Sequence, residues 1–358
     1  MWNETRVSKT LGIEYPILQG PFGGNLSSAR LVATVSNAGG LGGYGAYTFS
    51  PDEIIDTDRE IRSLTGKPYN FNLWVSDSDS KEGEITNAQY EQVRQLYQPY
   101  FDELKIPFPE KPAPFKGRFE NQVEALLKLR PRVFSFVFGI PSADILEQFR
   151  KLGTKLIGSA TTLDEAVELE NAGVDLIIAS GFEAGGHRTS FLASAESSLT
   201  GTFVLLQLLR EKVRTPIIAA GGIADGRGIA AALTLGASGV QIGTAFLATE
   251  ESNIPEIHRR FLFSDAARYT TLTRAFTGRL GRGITNRLIK DISGKEKQLL
   301  PFPFQTTFMS SLRQAALEQQ KWDMILFWSG QIAPILKHTK ASALMQSLIE
   351  GTTKLIGP

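Results

Sequence analysis

The amino-acid sequence predicts an α/β protein, a (β/α)8 barrel of the TIM type with a second, mainly helical, substrate-covering domain. Eight short apolar runs alternate with helical patterns between residues 14 and 248. The runs are continuously apolar, as parallel strands buried on both faces are. Such a barrel uses about 250 residues, and this sequence has 358, which leaves enough chain for a second domain. A doubly wound open sheet is the alternative, but eight strand–helix units favour the closed barrel.

The predicted strands and helices follow one another in a regular order. Helical patterns over 27–37 and 225–235 each end in a glycine, the usual helix stop. A further helix is predicted to begin after Thr162, because Thr162 and Glu165 have the spacing of a capping box. The eight predicted strands cover residues 16–19, 40–45, 69–75, 133–138, 155–158, 174–179, 216–220 and 239–242.

Two stretches interrupt the alternation of predicted strands and helices and divide the chain. Within a barrel domain of residues 1–249, the segment at about 76–131 carries six prolines and one predicted helix. An excursion of this length is typical of a lid or a side domain. Residues 250–340 show helical patterns without a convincing strand and are expected to form a helical substrate-side domain, and 341–358 is expected to supply the closing barrel helix. Because loops after barrel strands lie on the catalytic face, both stretches are expected to cover the active site.

The composition excludes several classes of function. Lys and Arg number 38 and Asp and Glu 37, so the net charge of +1 argues against a nucleic-acid-binding surface and a polybasic membrane patch. No apolar stretch approaches the roughly 18 residues that span a bilayer, and no secretory signal is visible, so a cytoplasmic enzyme is expected. The absence of cysteine excludes disulfides, thiolate metal ligands and cysteine nucleophiles. No histidines or carboxylates stand at metal-ligand spacing, so no metal site is predicted.

Glycines follow the seventh and eighth predicted strands. Gly221 and Gly222 come directly after residues 216–220, and Gly243 follows residues 239–242. Such glycines either make tight strand-to-helix turns or let the backbone approach a phosphate, which free N–H groups bind. Phosphate sites in (β/α)8 barrels are often formed by these two loops. The pair therefore favours a phosphate site, for a flavin, a nucleotide or a sugar phosphate.

His187 is the candidate catalytic base. It is the histidine at a predicted strand end, because it follows the sixth apolar run and comes directly after Gly185 and Gly186. His258 and His338 lie in the helical tail and are interpreted as surface or packed residues. An imidazole ordinarily titrates near neutrality, which suits a general base. Its place beside the predicted phosphate loops favours a functional role. The neighbouring Glu183 is interpreted as a residue that orients a partner or caps a helix.

These residues and several others resemble the nitronate monooxygenase family, formerly called the 2-nitropropane dioxygenases. The resemblance extends from about Leu11 to Gln331, and the element at 183–188 is specific to that superfamily. It implies an FMN-dependent (β/α)8 barrel that oxidises alkyl nitronates with dioxygen to a carbonyl compound and nitrite. The matching motifs, in chain order, are Gln19-Gly20-Pro21-Phe22, Ser36-Asn37-Ala38-Gly39-Gly40-Leu41-Gly42, Asn70-Phe71-Asn72, Phe138-Gly139-Ile140-Pro141, Glu183-Ala184-Gly185-Gly186-His187-Arg188, Ala220-Gly221-Gly222-Ile223-Ala224-Asp225-Gly226-Arg227, Gln241-Ile242-Gly243-Thr244-Ala245-Phe246 and Trp328-Ser329-Gly330-Gln331.

The resemblance also implies roles for single residues. His187 would be the base for neutral nitroalkanes, and Asn72 would hydrogen-bond the flavin ring. Two positions depart from the family pattern: Ser180, a further flavin contact, stands where the family usually has glutamine, and Thr189 where it usually has glycine. The remaining flavin contacts would be Gly20, Pro21 and Phe22 along the ring, and Gly185, Gly221, Gly222, Gln241, Ile242, Gly243 and Thr244 on the ribityl phosphate side.

Other functions stay open at this stage. Flavin-dependent enoyl-acyl-carrier-protein reductases and quinone reductases share much of the motif set, so an FMN-dependent NAD(P)H reductase is the alternative enzyme. A flavin-binding barrel without turnover and a non-redox barrel with a substrate phosphate are alternatives of other classes. No G-x-G-x-x-G motif opens a helix after a strand, which favours the mononucleotide FMN over a dinucleotide.

The segment from Trp328 to Gln331 allows two interpretations. A tryptophan beside Ser329 and Gly330 in a helical tail is typical of a packed anchor with a glycine stop. Alternatively, the tail folds back, and Trp328 or Gln331 reaches the flavin or the substrate.

Overall fold

The structure, a computed structural model, describes residues 1–76, 78–80 and 83–357. Its centre is a barrel of eight parallel strands, and three shorter strands form a separate antiparallel sheet. The barrel strands are β1 (Ile17–Gln19), β2 (Gly42–Gly45), β3 (Tyr69–Trp74), β4 (Val133–Val137), β5 (Lys155–Ala160), β6 (Leu176–Ser180), β8 (Ile217–Ala220) and β9 (Gly239–Ile242). The others are β7 (Gly186–His187), β10 (Thr270–Thr273) and β11 (Gly281–Ile284).

Helices surround the barrel and form most of a second domain. They are α1 (Arg6–Leu11), α2 (Ala29–Asn37), α3 (Pro51–Leu64), α4 (Asn87–Leu104), α5 (Phe119–Leu129), α6 (Ala143–Lys151), α7 (Leu163–Asn171), α8 (Thr202–Lys212), α9 (Gly226–Thr234), α10 (Thr244–Leu247), α11 (Glu256–Leu262), α12 (Arg287–Ile292), α13 (Phe304–Glu318) and α14 (Ala341–Ile356). None of the described helices is both long enough and apolar enough to cross a membrane.

The barrel is closed between its first two strands. The sheet runs in the order β1-β9-β8-β6-β5-β4-β3-β2. Its two ends meet at a parallel bridge between Leu18 and Leu41, where Gln19 N donates to Leu41 O at 2.9 Å and Leu41 N donates to Ile17 O at 3.0 Å. The predicted (β/α)8 barrel is therefore confirmed, and the open sheet is wrong.

The barrel interior has an apolar half and a polar half. Leu18, Leu41 and Ile218 belong to a buried cluster that also contains Val7 and Leu11 of α1, so α1 closes the amino-terminal end of the barrel. The opposite half is polar: Asn72 of β3 lies level with Ser135 of β4, and Ser180 ends β6. Within the barrel, a site for polar ligands is therefore favoured at the carboxyl end of the strands, where (β/α)8 enzymes place their active sites.

Single residues determine how helix α7 is capped and how closely helices α9 and α14 cross. Thr162 caps α7 as predicted, accepting from Glu165 N at 3.2 Å. The Glu165 carboxylate does not complete the capping box; fully buried, it accepts from Thr161 N and Phe191 N, both at 2.6 Å. The C-terminal helix α14 packs against α9 and α2. A Cβ at Gly226 would lie 2.4 Å from the carbonyl carbon of Gly351, so this close crossing of α9 and α14 requires glycine.

The segment expected as one lid at about 76–131 is split between two parts of the structure. Helix α4, expected from Thr86 to about Lys105, joins the apolar core of the second domain, and Tyr97 Oη donates to Ala275 O at 2.5 Å. Helix α5 instead packs against α3 and α6, and its apolar side chains belong to the core between the barrel and its helices. The second domain is thus formed by α4 together with α11–α13 and the small sheet.

The sequence showed no convincing strand after Glu250, and that expectation is wrong. Strands β10 and β11 pair in antiparallel fashion, and β11 also pairs with β7, which follows barrel strand β6. With two glycines and an arginine, the sequence of β11 has no apolar alternation. It forms a strand because it pairs on both sides, with β10 nearby in the sequence and with β7 far away in it.

Candidate active site

Four loops meet at the carboxyl end of the barrel. After β1, Gly20 N donates to Ile242 O at 2.9 Å, and a Cβ at Gly20 would lie 3.3 Å from Gly243 Cα. After β8, Gly221 has a φ of 105° and Gly222 a φ of 72°, which favour glycine. A Cβ at Gly221 would come within 3.2 Å of Ala184 N in the loop after β6. The predicted glycines therefore lie together and bring four backbones close to one another.

The loops after β8 and β9 present unused hydrogen-bond donors. Within the described residues, the backbone N–H groups of Gly222, Gly243 and Thr244 donate to no protein acceptor. A Cβ at Gly243 would have no neighbour closer than 4.0 Å, so the space beside this backbone is open. Free N–H groups around open space fit a phosphate. Gln241 lies half-buried beside them, whereas the Ile242 side chain belongs to the core outside the barrel, so only its backbone faces the site.

The first loop, whose residues are expected along a flavin ring, borders the same opening, since Phe22 Cε1 lies 4.0 Å from the position of a Cβ on Gly243. Phe22 N donates to Ser27 Oγ at 2.9 Å, and Pro21 lies 3.3 Å from the position of a Cβ on Gly43, which keeps the first loop against β2. Asn72 Nδ2 donates to Ser135 Oγ at 2.9 Å, and no described donor reaches Asn72 Oδ1. Asn72 can therefore still accept a hydrogen bond from a ligand.

The loop after β6 is held by one buried and one half-buried charged residue. The Ser180 carbonyl accepts from Arg188 Nη2 at 3.0 Å. Glu183 caps α8, because its carboxylate accepts from Thr202 N at 3.0 Å, which matches one of the two interpretations of this residue. Thr189, at the second position that departs from the family pattern, shares a hydrogen bond of 3.0 Å with Ser159 Oγ of β5. These contacts fix the start and the end of the loop that carries His187.

His187 lies on β7 among aromatic rings, opposite Gly281 of β11. Its Nε2 is 2.9 Å from Thr277 Oγ1. Burial, with Arg279 and then Arg274 nearby, lowers the pKa of His187 from 6.5 to about 3. The sequence argument assumed an imidazole that titrates near neutrality; in this site the ring is neutral at physiological pH. The nearest rings, by centroid distance, are Trp328 at 4.9 Å, Trp74 at 5.4 Å, Phe302 at 6.0 Å and Phe138 at 6.4 Å.

The segment Trp328–Gln331 folds back onto the barrel loops. Gln331 N donates to Glu183 O at 3.0 Å, and Gly330 N donates to Thr244 Oγ1 at 2.9 Å. The Trp328 ring contacts His187, whereas the Gln331 side chain is exposed. The buried His258, whose ring is 2.8 Å from the Trp328 carbonyl, is a packed residue as interpreted from the sequence. Burial lowers the pKa of His258 to about 4, so the neutral ring donates this hydrogen bond.

Sequence reasoning missed three residues of this site, Thr277, Arg279 and Asp79. Arg279 Nε donates to both carboxylate oxygens of Asp79 at 3.0 Å, across 200 positions of sequence. No motif or spacing signals such a pair. Arg279 itself lies in a glycine-rich stretch whose strand was also missed. The described residues contain no group of three or more histidines and carboxylates that could hold a metal ion.

Comparisons with known proteins agree on one family. A sequence profile described as nitronate monooxygenase matches residues 4–351. A probable nitronate monooxygenase of Staphylococcus aureus strain Newman is 38% identical over 357 residues, with 99% of each chain covered. Among solved structures, a nitroalkane oxidase from Streptomyces ansochromogenes superposes with a TM-score of 0.87 at 32% identity, over 98% of each chain.

A second similarity concerns a differently named protein. FabK from Thermotoga maritima superposes with a TM-score of 0.75 at 28% identity, over 99% of this chain and 97% of that chain. Its TM-score and identity are both lower than those of the nitroalkane oxidase. With a profile match and a close relative that both extend over almost the whole sequence, this flavin-dependent oxidoreductase belongs to the nitronate monooxygenase family.

Proposed function

We propose that the protein uses FMN to oxidise alkyl nitronates with dioxygen to a carbonyl compound and nitrite. We also propose that it accepts neutral nitroalkanes, with His187 as the base that removes the α-proton. The observation that carries the proposal is a neutral imidazole, enclosed by aromatic rings, beside the loops with unused N–H donors. Family membership supports the same reaction.

FMN fits the residues at the barrel opening. Gly185, Gly221, Gly222, Gln241, Ile242, Gly243 and Thr244 would hold the ribityl phosphate side, and Gly20, Pro21, Phe22, Asn72 and Ser180 the ring. When bound, FMN supplies the electron acceptor for substrate oxidation. Heat denaturation of the purified protein is expected to release FMN, identified by chromatography against FMN and FAD standards. Recovery of FAD would contradict the proposal, since the proposed site holds a single phosphate.

The hydrogen bonds around His187 indicate which ring nitrogen acts as the base. Thr277 Oγ1 donates to Arg279 O at 3.1 Å, which uses its only hydrogen. With that assignment of the hydroxyl hydrogen, we infer that Nε2 donates in the contact between Thr277 Oγ1 and His187 Nε2 at 2.9 Å. The lone pair of the neutral ring is therefore on Nδ1, and Nδ1 takes the α-proton. The aromatic rings around His187 limit the access of water to this proton transfer.

The lowered pKa predicts an unusual pH profile. An imidazole with a pKa of 6.5 would lose about 30-fold in its neutral fraction between pH 8 and pH 5. With a pKa of about 3, His187 stays neutral over this range, so kcat/KM for a neutral nitroalkane is expected to stay within about threefold. Between pH 6.5 and pH 3 the imidazole is protonated in the unfolded protein but neutral in the folded protein. The free energy of unfolding therefore decreases as the pH falls through this range, so a circular dichroism spectrum accompanies each assay. A tenfold fall in kcat/KM with folding intact would contradict this prediction.

The similarity to FabK keeps a flavin-dependent NAD(P)H reductase as the second candidate function. A nitronate already carries the electrons for the oxidation, whereas a reductase must accept hydride from a nicotinamide. The holoenzyme is mixed anaerobically with ethyl nitronate or with NADH or NADPH, and the flavin absorbance is followed. We expect rapid bleaching with the nitronate and none with either nicotinamide. Bleaching by a nicotinamide alone would favour the reductase.

A further inference from the structure

Arg279 is a buried cation with one nitrogen unused. The residue is 4% exposed. Its Nε and Nη2 donate to Asp79, and Nη2 also donates to Ser76 O at 2.6 Å. Nη1 is shielded from solvent and has no hydrogen-bond partner among the residues that the structure describes. A buried charged donor without an acceptor is costly, and a bound anion is one way to satisfy it. Within the described part of the chain, Arg94 Nε and Arg188 Nε are also buried without a partner, but neither side chain contacts the rings around His187.

Arg279 and His187 share one wall of the candidate active site. The Arg279 Cζ lies 4.1 Å from the ring centroid of Phe138 and 4.4 Å from that of Phe302, two rings that also contact His187. The hydroxyl of Thr277 hydrogen-bonds both the Arg279 carbonyl and the His187 ring. The unused guanidinium nitrogen is therefore a near neighbour of the proposed base.

We propose that Arg279 binds the substrate's nitro group, with Nη1 as the donor to a nitro or nitronate oxygen. The inference rests on the proposed function and names the group that recognises its substrate. When His187 Nδ1 takes the α-proton, the electron pair of the broken C–H bond moves onto the two nitro oxygens. A buried guanidinium donor stabilises this charge more strongly than one in water does. Because solvent does not reach Nη1, the proposal requires one of the rings that cover it to move when the oxygen binds.

A purely structural role for Arg279 is the competing explanation. In that case the guanidinium serves to hold Asp79, Ser76 and the aromatic rings in place, and loss of either partner of the ion pair disturbs the site in the same way. If Arg279 binds an anion, substitutions of Arg279 and of Asp79 change the anion affinity in opposite directions. Loss of Arg279 removes the cation, whereas loss of the Asp79 charge leaves the cation without its counter-ion, and the side chain of Asp79 is 36% exposed. Opposite effects of the two substitutions separate the two roles.

Arg274 and Glu196 provide matched controls. They form a second arginine–carboxylate pair, with Arg274 Nε 2.7 Å from Glu196 Oε1, and Arg274 also acts on the pKa of His187. Its Nη1 donates to Gly278 O at 2.7 Å and its Nη2 to Glu196 Oε2 at 3.1 Å, so none of its side-chain nitrogens is left without a partner. Arg274→Gln and Glu196→Gln therefore remove the same charges without removing an unused donor.

The test is calorimetric titration of the holoenzyme with sodium nitrate, a planar anion whose oxygens resemble those of a nitronate group. Arg279→Gln is expected to weaken nitrate binding by about 10- to 100-fold, and Asp79→Asn to tighten it several-fold. The two control variants are expected to change the affinity less than threefold. The proposal would be overturned by any of three results. These are equal effects in the two arginine–carboxylate pairs, an unchanged nitrate affinity in Arg279→Gln, or weaker nitrate binding in both Arg279→Gln and Asp79→Asn.

Two further readouts keep the outcome decisive. If Arg279→Gln does not fold, Asp79→Asn decides alone: tighter nitrate binding than in Glu196→Gln supports the site, and unchanged or weaker binding overturns it. Nitrite release from ethyl nitronate by the unaltered enzyme is measured separately. Failure of that reaction would remove the proposed function, whereas unchanged nitrate affinity in an active Arg279→Gln enzyme would remove only the anion site.

Discussion

Replacement of His187 by asparagine is expected to lower kcat/KM for a neutral nitroalkane by about 10²–10⁴-fold, while oxidation of the preformed nitronate changes little. Nδ1 of the neutral ring is the proposed proton acceptor, and an asparagine amide cannot take a proton near pH 7. A nitronate has already lost this proton, so its oxidation does not need the base. Nitrite release from nitroethane and from ethyl nitronate is measured with the same enzyme preparation.

The control for this substitution is His338→Asn, the same change at a histidine in the C-terminal tail. Both activities of this variant are expected to match those of the unaltered enzyme. Equal loss of both activities in His187→Asn would mean that His187 positions the substrate and does not deprotonate it. Full retention of both activities would remove His187 from the mechanism.

Gly185→Ala is expected to lower kcat/KM for both substrates by about 10²-fold. A Cβ at Gly185 would lie 2.5 Å from Gly330 N and 2.6 Å from the Ser329 carbonyl carbon. Both atoms are backbone, so the segment Trp328–Gln331 must move away from the loop after β6. That movement separates the Trp328 ring from His187 and changes the pocket for either form of the substrate.

Gly66→Ala is the matched control, because a Cβ there has no neighbour within 4 Å. Its activity and its thermal midpoint are expected to stay unchanged. The thermal midpoint of Gly185→Ala is measured in parallel, since a loss of activity with the fold intact is the informative result. Unchanged activity in Gly185→Ala would show that the contact between the loop and this segment does not shape the pocket.

The barrel could be predicted from the sequence because its signals are local. Each barrel strand is a short apolar run, and helices such as α7 and α9 carry their own cap and glycine stop, so a window of about a dozen residues is sufficient. Gly221, Gly222 and Gly243 were found for the same reason, since a glycine after a strand is visible in the sequence. Their contacts with a flavin remain predictions.

The second domain and half of the site could not be predicted because they depend on distant pairs. The residues of strand β11 are poor strand formers, and its second edge pairs with β7, far away in the sequence. Helix α4 carries a clear helical pattern, but nothing in that pattern shows that it packs with α13 and not with the barrel. Arg279 and Asp79 meet only after both domains have formed, so neither charge is recognisable as part of a pocket.

The pairing of β7 with β11 has a consequence for how such enzymes diverge. His187 comes from a barrel loop, but its strand partner Gly281, its hydrogen-bond partner Thr277 and its ring neighbour Trp328 all come from the C-terminal part of the chain. A chain that ended at residue 249 would retain all eight barrel strands and lose these three contacts. Recombination of the C-terminal part between relatives would therefore exchange the groups that set the pKa of His187, among them Arg279 and Arg274, together with the aromatic ring of Trp328 beside it. The environment of the imidazole and the shape of the proposed pocket would be inherited as one unit.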